Sequence, residues 1–279
     1  MNPIKNLAFV SNASKQGAGE FVEELRSIAR ERGIHTVATN EFPVPDGFLK
    51  GMDACCVVGG DGTFLSVAAE STQWQVPLVG VNFGTLGFLT TYTTNDFKDQ
   101  LGGILEGKCD VNYRSLLQCQ IQENHCDYAL NDVVVKAKGS GHIVHVDVFA
   151  DDEFVTTYIC DGLIFSTPTG STAYTLSAGG PMVHPSAGVV SLTPICAHTL
   201  SNRSIIFPQG VKLRIENAKK AEPLMIAIDG QRNMSTLDDR PVEIWNADKK
   251  LPMVQRVDYS HFKVVRRKLK WNGGYAGQE

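Results

Sequence analysis

Short apolar runs alternate with longer amphipathic segments over roughly the first hundred residues. Strands are predicted at residues 6–11, 34–39, 54–58 and 77–82. Helices are predicted at residues 20–32, from residue 64 onward and at 94–107, with Asn95 as the N-cap of the last. Strands that alternate with helices in this way predict a parallel sheet with helices packed on its faces.

The pattern changes to short strands beyond about residue 109. Runs rich in Val, Ile, Tyr and Phe, separated by turn residues, predict strands at 116–123, 128–136, 142–150, 154–159, 163–166, 211–216, 224–229 and 242–245. We therefore predict an α/β domain at 1–100, an all-β domain at 101–259, and a C-terminal tail at 260–279 that packs back on the first domain. The basic residues of that tail are interpreted as a solvated face.

The composition is that of a globular protein with 279 residues, 43% hydrophobic and 20% charged, enough for two ordinary domains. A net charge of −4 provides no general basic field, which argues against nucleic acid or a membrane surface as a partner. Without a secretion signal or an apolar stretch of ~18 residues, the chain is expected to be cytoplasmic. Seven cysteines without a CxxC pair argue against disulfides and a zinc site.

The strand predicted at 54–58 runs directly into the sequence GGDGT at 59–63, and a predicted helix follows. Glycines let a ligand approach the backbone closely, and the start of a helix offers unpaired N–H groups and a positive dipole end to an anion. Ligands of parallel sheets also collect at the carboxyl ends of the strands. The sequence therefore predicts a phosphate-binding turn, whose residues are Gly59, Gly60, Gly62 and Thr63.

Asp61 is unusual in such a turn because a carboxylate repels phosphate. It either accepts a proton or holds a metal ion, or it only shapes the loop as an Asx-turn residue. The turn matches neither GxGxxG nor GxxxxGK[ST]. A second glycine loop, NFGTLGFL at 82–89, follows the next strand and either lines the same site or is an ordinary turn.

The run DGLIFSTPTGSTAY at 161–174 is dense in hydroxyl groups. Six hydroxyl residues occur in the nine positions after Phe165, which favours a polar ligand, such as a ribose or a phosphate, over helix capping alone. Tyr174 offers a ring to a base. Asn131 and Asp132 interrupt the strand predicted at 128–136, where neighbours would lie on opposite faces.

Two further places in the second domain carry polar side chains. Asp229 and Gly230 have the residues of a tight hairpin turn, and Gln231 beside them is within reach of a ligand. His142 and His145, three positions apart, would face opposite sides of their strand and therefore do not predict a metal site.

Six motifs occur in the order and spacing typical of bacterial NAD kinases, and the chain resembles this ATP-NAD kinase family over nearly its whole length. They are GGDGT at 59–63, NFGTLGFL at 82–89, ALND at 129–132, DGLIFSTPTGSTAY at 161–174, SAGGP at 177–181 and PICAHTLSNR at 194–203. GGDG alone is shared with diacylglycerol and sphingosine kinases and with phosphofructokinases. The resemblance implies a Rossmann-like α/β domain related to those enzymes and an all-β C-terminal domain.

The resemblance also implies an activity: ATP-dependent phosphorylation of the 2′-hydroxyl of the adenosine ribose of NAD, giving NADP. It implies a divalent cation such as Mg²⁺, ATP as donor with polyphosphate left open, and a homo-oligomer, dimer or tetramer. Asp61 corresponds to the proton acceptor, and Asp61 and Gly62 both correspond to residues of the dinucleotide site. The residues that correspond to NAD contacts are Asn131, Asp132, Asp161, Thr172, Ala173, Tyr174 and Ser177, with His142 and Gln231 at the spacing of further contacts. Ile159 departs from relatives that carry a basic residue there.

Two alternatives stay open on the sequence alone. A lipid kinase could use the same GGDGT turn, although the hydroxyl-rich motif and the lack of a membrane-binding stretch argue against it. A protein that only senses NAD is the other alternative, and the carboxylate of Asp61 argues against that function.

Overall fold

The computed structural model describes residues 1–85, 87–122, 125–138, 143–219, 223–236, 240–256 and 258–271. Within these ranges no helix is both long and apolar enough to cross a membrane. The chain divides into two compact units. The first unit is Met1–Tyr113 together with the segment from Leu251 onward, and the second unit is Arg114–Lys250. This division falls at 113/114 and 250/251, whereas the domain boundaries expected from the sequence were 100/101 and 259/260.

The helices and strands follow in chain order. The α-helices are α1 (Ala18–Glu31), α2 (Asp61–Trp74), α3 (Thr94–Leu105), α4 (Tyr174–Ser177) and α5 (His261–Leu269). The first nine strands are β1 (Asn6–Ser11), β2 (His35–Thr39), β3 (Ala54–Gly59), β4 (Leu78–Asn82), β5 (Asp110–Arg114), β6 (Leu117–Gln122), β7 (His125–Ala129), β8 (Asp132–Ala137) and β9 (Val144–Ala150). The others are β10 (Glu153–Cys160), β11 (Gly162–Ser166), β12 (Val189–Ile195), β13 (Ile205–Pro208), β14 (Lys212–Asn217), β15 (Leu224–Ile228), β16 (Arg232–Ser235), β17 (Val242–Asn246) and β18 (Leu251–Gln255).

The first unit contains one sheet, in the order β2-β1-β3-β4-β18-β5. The pairs of β1 with β2, β1 with β3, β3 with β4 and β4 with β18 are all parallel. Apolar residues of α1 and α3 pack with the strands in one buried cluster, which also contains Val254 of β18. The predicted α/β fold of the N-terminal domain is confirmed. The prediction missed β5 and β18.

Helix α3 begins at Thr94, as predicted, but its N-cap lies two residues before the predicted cap at Asn95. Its N-cap is Thr93, whose hydroxyl accepts a hydrogen bond from the Asp96 amide at 3.2 Å. Asp96 in turn accepts from the Thr93 amide and hydroxyl. This reciprocal capping box satisfies two groups that a cap at Asn95 would leave unpaired. The expectation that Asn95 caps the helix is therefore wrong.

The second unit contains two antiparallel sheets of six strands each, β10-β9-β14-β17-β6-β7 and β13-β12-β11-β8-β15-β16. Their inner faces share one apolar core, to which β6, β9, β14 and β17 of one sheet and β8, β11, β12 and β15 of the other contribute. The predicted all-β fold is confirmed. Its only helical segments in the described part of the chain are a short 3₁₀ turn at Gly170–Thr172 and α4.

The strand predicted at 128–136 is in fact two strands. β7 ends at Ala129 in one sheet and β8 begins at Asp132 in the other. We call the segment Leu130–Asp132, which ends on the first residue of β8, the crossover. Asn131 and Asp132 therefore do not lie on opposite faces of one regular strand, and the sequence prediction on this point is wrong. The predicted hairpin at Asp229 is confirmed, because β15 and β16 pair on either side of residues 229–231.

Candidate active site

The predicted strand, glycine turn and helix are present in the first unit. β3 ends at Gly59, and α2 begins at Asp61 after an extended Gly60 that has no side-chain cap. A Cβ at Gly59 would lie 2.5 Å from the Thr63 hydroxyl oxygen, so the turn requires glycine at this position. Thr63 is buried, whereas Gly62 is exposed at the start of the helix. The turn thus presents helix N–H groups and a carboxylate at the carboxyl end of a central strand.

The Asp61 carboxylate is held by the chain that follows β4. Its Oδ1 accepts hydrogen bonds from the Leu89 amide, the Thr90 amide and the Thr90 hydroxyl, each at 3.1 Å. Its Oδ2 accepts one from the Phe88 amide at 2.8 Å. Because a carboxylate oxygen has about two acceptor positions, Oδ1 is fully occupied. Among the described residues, Oδ2 keeps room for one more donor.

The second glycine loop forms the wall around Asp61. A Cβ at Gly87 would lie 1.9 Å from Asp61 Oδ1, so only glycine lets the loop come this close. The side chain of Asn82, at the end of β4, donates to the Thr90 hydroxyl oxygen at 3.1 Å and to the Thr85 carbonyl at 2.6 Å. Of the two interpretations of this loop, the contacts support the one in which both glycine loops line one site.

A cavity of about 300 Å³ opens at the end of β4. Its lining residues are Asn82, Phe83, Gly84, Thr93, Thr94 and Arg267. Arg267 belongs to α5, which buries Val264 and Val265 and exposes its basic side chains. Lys268 of the same helix lies 5.9 Å from the Phe88 ring centre. The basic tail, interpreted as a solvated face, therefore also places positive charge beside the second glycine loop.

The hydroxyl-rich run in the second unit is largely occupied by its own loop. Thr167 donates to the Leu130 carbonyl at 2.6 Å, and Ser166 to the Asn131 carbonyl at 3.2 Å. Ser171 donates to the Pro168 carbonyl at 2.7 Å and Thr172 to that of Thr169. The inference that the density of hydroxyls itself indicates a polar ligand is therefore corrected: four of the six hydroxyls donate to backbone carbonyls of the second unit.

Three predicted contact regions meet in the second unit around the crossover. A Cβ at Gly170 would lie 2.1 Å from the Asn131 carbonyl oxygen, so the turn before α4 packs directly on the crossover. Tyr174 and Ser177 are exposed and lie one turn apart on α4, while Thr172 and Ala173 before it are half-buried. On the other side, the Asp229 carboxylate accepts hydrogen bonds from the crossover amides, and exposed Gln231 is two residues away. Sequence reasoning assigned Asp229 to the turn alone and missed this contact.

Asp132 is almost completely buried, with 4% of its surface exposed. Burial, followed by repulsion from the Asp229 carboxylate, raises the pKa of Asp132 to about 7. Asn131 is only half-buried, and both its amide and its carbonyl are already hydrogen-bonded. The Asn131 backbone is therefore occupied by contacts within the second unit.

Asp161 lies away from this cluster. It precedes β11, while Thr172–Ser177 follows that strand, and Asp161 and Ser166 are about 17 Å apart at the usual rise per residue. The imidazole Nε2 of His198, in the motif PICAHTLSNR, lies 3.4 Å from Asp161 Oδ1. The His198 amide donates to the carbonyl of Ile159, so His198 lies beside the position that the sequence analysis singled out as a departure from the family. His142, a predicted NAD contact, lies outside the described residues.

In the part of the chain that the structure describes, no three His, Cys, Asp or Glu side chains are grouped as a metal site. Mg²⁺ is usually held by one or two carboxylates together with substrate phosphates and water. The Asp61 carboxylate beside the glycine turn at 59–63 is the kind of group that would belong to such a set.

Comparison with known proteins agrees with the geometry. A family model described as the ATP-NAD kinase N-terminal domain matches residues 45–109, and one described as the ATP-NAD kinase C-terminal domain matches residues 130–256. The chain is 39% identical to a NAD kinase of Syntrophobacter fumaroxidans, over 96% of this chain and 99% of the relative. It is 34% identical to a NAD kinase of Solibacter usitatus, over 96% of this chain and 98% of the relative.

Two solved structures have a similar fold. The yeast NADH kinase in complex with NADH superposes with a TM-score of 0.88 at 22% identity, over 100% of this chain and 91% of the other. An NAD kinase from Archaeoglobus fulgidus in complex with ATP superposes with a TM-score of 0.81 at 24% identity, over 95% of this chain and 98% of the other. At these identities the likeness concerns the fold.

Proposed function

The chain belongs to the ATP-NAD kinase family, and from that membership we propose that it transfers the γ-phosphoryl group of ATP to the 2′-hydroxyl of the adenosine ribose of NAD, giving NADP. The observation that carries the proposal is the Asp61 carboxylate. It lies at the first turn of α2, between two glycine loops, and the described residues give its Oδ2 one donor, so that this oxygen could accept another hydrogen bond. A hydroxyl that must lose a proton fits this oxygen.

Asp61 would act as the general base of the reaction. The ribose hydroxyl gives its proton to Asp61 Oδ2 while its oxygen forms a bond to the γ-phosphorus. The bond from that phosphorus to the β–γ bridging oxygen breaks, and ADP leaves with the electron pair. A positioned base supplies about 10² to 10⁴ in rate. Because the transition state of phosphoryl transfer is loose, positioning and charge neutralisation supply most of the rest.

The amides at the start of α2 and the positive end of its dipole would receive donor phosphates. The cavity beside β4, with Arg267 on its wall, offers them further positive charge. A divalent cation held by the donor phosphates and water would neutralise phosphate charge, which leaves the open position of Asp61 Oδ2 to the ribose hydroxyl. These local groups explain how a chain with a net charge of −4 would bind two anionic nucleotides.

The NAD site is proposed to use the second-unit residues that the family motifs indicate. Those residues are Asn131, Asp132, Asp161, Thr172, Ala173, Tyr174, Ser177 and Gln231, with His142 as a further contact. Three of the regions meet at the crossover, whereas Asp161 is about 17 Å along β11. An extended dinucleotide is long enough to contact both ends.

We expect the protein to be cytoplasmic. We also expect it to form a homo-oligomer, a dimer or a tetramer, and light scattering would test the oligomeric state.

The direct test incubates the purified chain with γ-labelled ATP, Mg²⁺ and NAD, and measures NADP with an NADP-specific dehydrogenase. We expect label in NADP, and loss of turnover when the cation is removed with EDTA. Parallel reactions with NADH and with polyphosphate would define the range of acceptors and donors. A flat trace at high enzyme concentration, with NAD still bound, would instead indicate a sensor.

The comparisons give no support to a lipid kinase or to a non-catalytic sensor. A reaction of γ-labelled ATP with vesicles that contain diacylglycerol nevertheless distinguishes a lipid kinase from an NAD kinase. Label in the lipid and none in NADP would contradict the proposal.

A further inference from the structure

Asp229 is buried in a turn, a place where side chains are usually exposed. It begins the loop of residues 229–231 that joins β15 to β16, and 7% of its surface is exposed. The turn is closed by a hydrogen bond from the Gln231 amide to the Ile228 carbonyl at 3.0 Å. That bond does not use the Asp229 side chain. Turn chemistry therefore explains the backbone of this loop and leaves the buried carboxylate unexplained.

The carboxylate accepts hydrogen bonds from three consecutive amides at the crossover. Oδ2 accepts from the Leu130 amide at 2.9 Å, and Oδ1 accepts from those of Asn131 and Asp132 at 2.7 and 3.1 Å. The Asp229 amide donates in return to the Asp132 carbonyl at 2.9 Å. Hydrogen bonds to a charged acceptor are about twice as strong as those between neutral groups.

These amides need such an acceptor because the chain changes sheets here. β7 and β8 belong to different sheets, so the amides between them lack the regular ladder partners that a strand provides. Leu130 and Asp132 are buried, and buried amides are almost always hydrogen-bonded. The carbonyls of Leu130 and Asn131 accept from the Thr167 hydroxyl and amide. The crossover is thus fixed from both sides, with Asp229 on the N–H side.

From these contacts we infer that Asp229 is a positioning residue for the dinucleotide site. Its carboxylate fixes the backbone of the crossover, so that Asn131 and Asp132 are presented in one orientation, and its turn holds Gln231 beside them. Asp229 itself does not touch NAD. The inference rests on the proposed function, because it concerns residues proposed to bind NAD.

A purely structural role for Asp229 would show itself differently. The same hairpin is held against β7 by a second contact, in which Arg232 donates to the Asp127 carboxylate at 2.7 Å and to the Tyr128 carbonyl at 2.6 Å. That contact involves none of the three crossover amides. Asp127→Asn therefore loosens the same hairpin without changing the crossover, and serves as the matched control.

The test compares wild type, Asp229→Asn and Asp127→Asn well below their unfolding temperatures. In Asp229→Asn an amide group faces the backbone amide of Leu130, so the crossover must move. We expect KM for NAD to rise about tenfold or more, the effect of one lost charge-assisted bond, with KM for ATP within about twofold. Hydrogen exchange at residues 130–132 should become at least about tenfold faster. Asp127→Asn should destabilise the fold while leaving KM for NAD unchanged.

Three results would overturn the inference. They are an unchanged KM for NAD in Asp229→Asn, an equal rise in Asp127→Asn, or rapid exchange of the crossover amides in the unliganded wild type. The last measurement needs no variant, so it can overturn the inference even if Asp229→Asn does not fold. Failure of the proposed function is seen separately, as a wild type that makes no NADP.

Discussion

Asp61 in the first unit and Asp229 in the second make the same kind of contact with the backbone, but the two contacts serve different purposes. Each carboxylate accepts hydrogen bonds from three consecutive backbone amides, those of Phe88–Thr90 and those of Leu130–Asp132. In each case the amides come from a distant part of the chain. A carboxylate is well suited to hold such a segment, because its two oxygens accept about four hydrogen bonds in one plane.

The difference lies in exposure. Asp61 is half-buried beside exposed Gly62, at the positive end of a helix dipole. Asp229 is 7% exposed; burial raises its pKa, and the three amides and the Arg232 charge oppose that shift. A ligand can therefore reach Asp61 but not Asp229. Where the carboxylate is accessible, the amides serve to position it for chemistry; where it is inaccessible, it serves to position the amides.

Among the substitutions that test this difference between Asp61 and Asp229, Asp61→Asn should cause the greatest loss of kcat. The substitution removes the ability of the side chain to take a proton and turns an NH₂ group toward one of the amides that Asp61 now accepts, so kcat should fall by at least about 10² to 10⁴. The dissociation constant of NAD, measured by calorimetry, should change by less than about threefold, because Asp61 makes one contact to NAD and the other proposed contacts are unchanged. A fully active variant would contradict the role of Asp61.

Asp53→Asn is the matched control for that experiment. The Asp53 carboxylate also accepts two backbone amides in the first unit, those of Lys5 and Asn6, each at 2.8 Å. It lies outside both glycine loops. We expect the control to lose stability and to keep its kcat, so an equal loss of kcat in both variants would point to misfolding.

Gly87→Ala should cause the second greatest loss of kcat, because it displaces the Asp61 carboxylate without changing its chemistry. The new Cβ would lie 1.9 Å from Asp61 Oδ1 and 2.6 Å from the Thr90 hydroxyl oxygen, so the carboxylate must shift by about 1 Å or more. A misplacement of that size lowers kcat by about a hundredfold. Gly19→Ala in α1, where nothing lies within 4 Å of the Cβ, is the control and should keep full turnover. Equal turnover in both variants would show that the placement of Asp61 is not critical.

The sequence predicted what local chemistry determines. The strand, turn and helix around Asp61 were recognisable because an apolar run, two glycines and a helical segment follow one another directly. The fold class of both domains and the family were likewise predicted and are confirmed. Thr93 as the cap of α3 was within reach, because Thr93 and Asp96 have the spacing of a capping box.

Features that depend on distant contacts were not predictable. The strand predicted at 128–136 breaks because a carboxylate almost a hundred residues away holds the crossover amides. β18 joins the first sheet beside β4, although the whole second unit separates the two strands. The hydroxyls at 166–172 could not be assigned to backbone or ligand, since composition does not reveal the direction of a hydrogen bond. Which side chains touch NAD remains a prediction.

Asp132→Asn tests the buried carboxylates around Asp229 through the pH dependence of the free energy of unfolding. Asp132 has a pKa of about 7 in the folded state, above the ordinary value of 3.8. Between these values the folded state binds more protons than the unfolded chain, so the free energy of unfolding of the wild type falls as pH rises, and stops falling above about pH 7. Asparagine does not titrate. Urea unfolding should therefore show the variant gaining about 2 kcal/mol over wild type between pH 5 and pH 8.

The control for the pH experiment is Asp248→Asn, which changes an exposed carboxyl in the same unit. Its stability should follow that of the wild type across the same range. The charges that act on the Asp132 carboxyl are the Asp229 carboxylate directly and Arg232 through its effect on Asp229. A parallel pH dependence of Asp132→Asn and wild type would show that Asp132 is ionised in the folded protein.

Thr93→Ala should have the weakest effect of these substitutions. It tests whether the segment Phe88–Thr90 is held by its hydrogen bonds to Asp61 or by α3, the helix that follows. Loss of the capping box should lower the free energy of unfolding by about 1 kcal/mol. Because Phe88, Leu89 and Thr90 keep their bonds to Asp61, kcat should stay within about twofold of wild type. Asn95→Ala, at the position that does not cap the helix, should change the stability by less than about 0.5 kcal/mol. A large fall in kcat in Thr93→Ala alone would mean that the start of α3 also positions Asp61. The Asp61 carboxylate would then depend on more than its hydrogen bonds from three consecutive amides, whereas for Asp229 such bonds are the main contact.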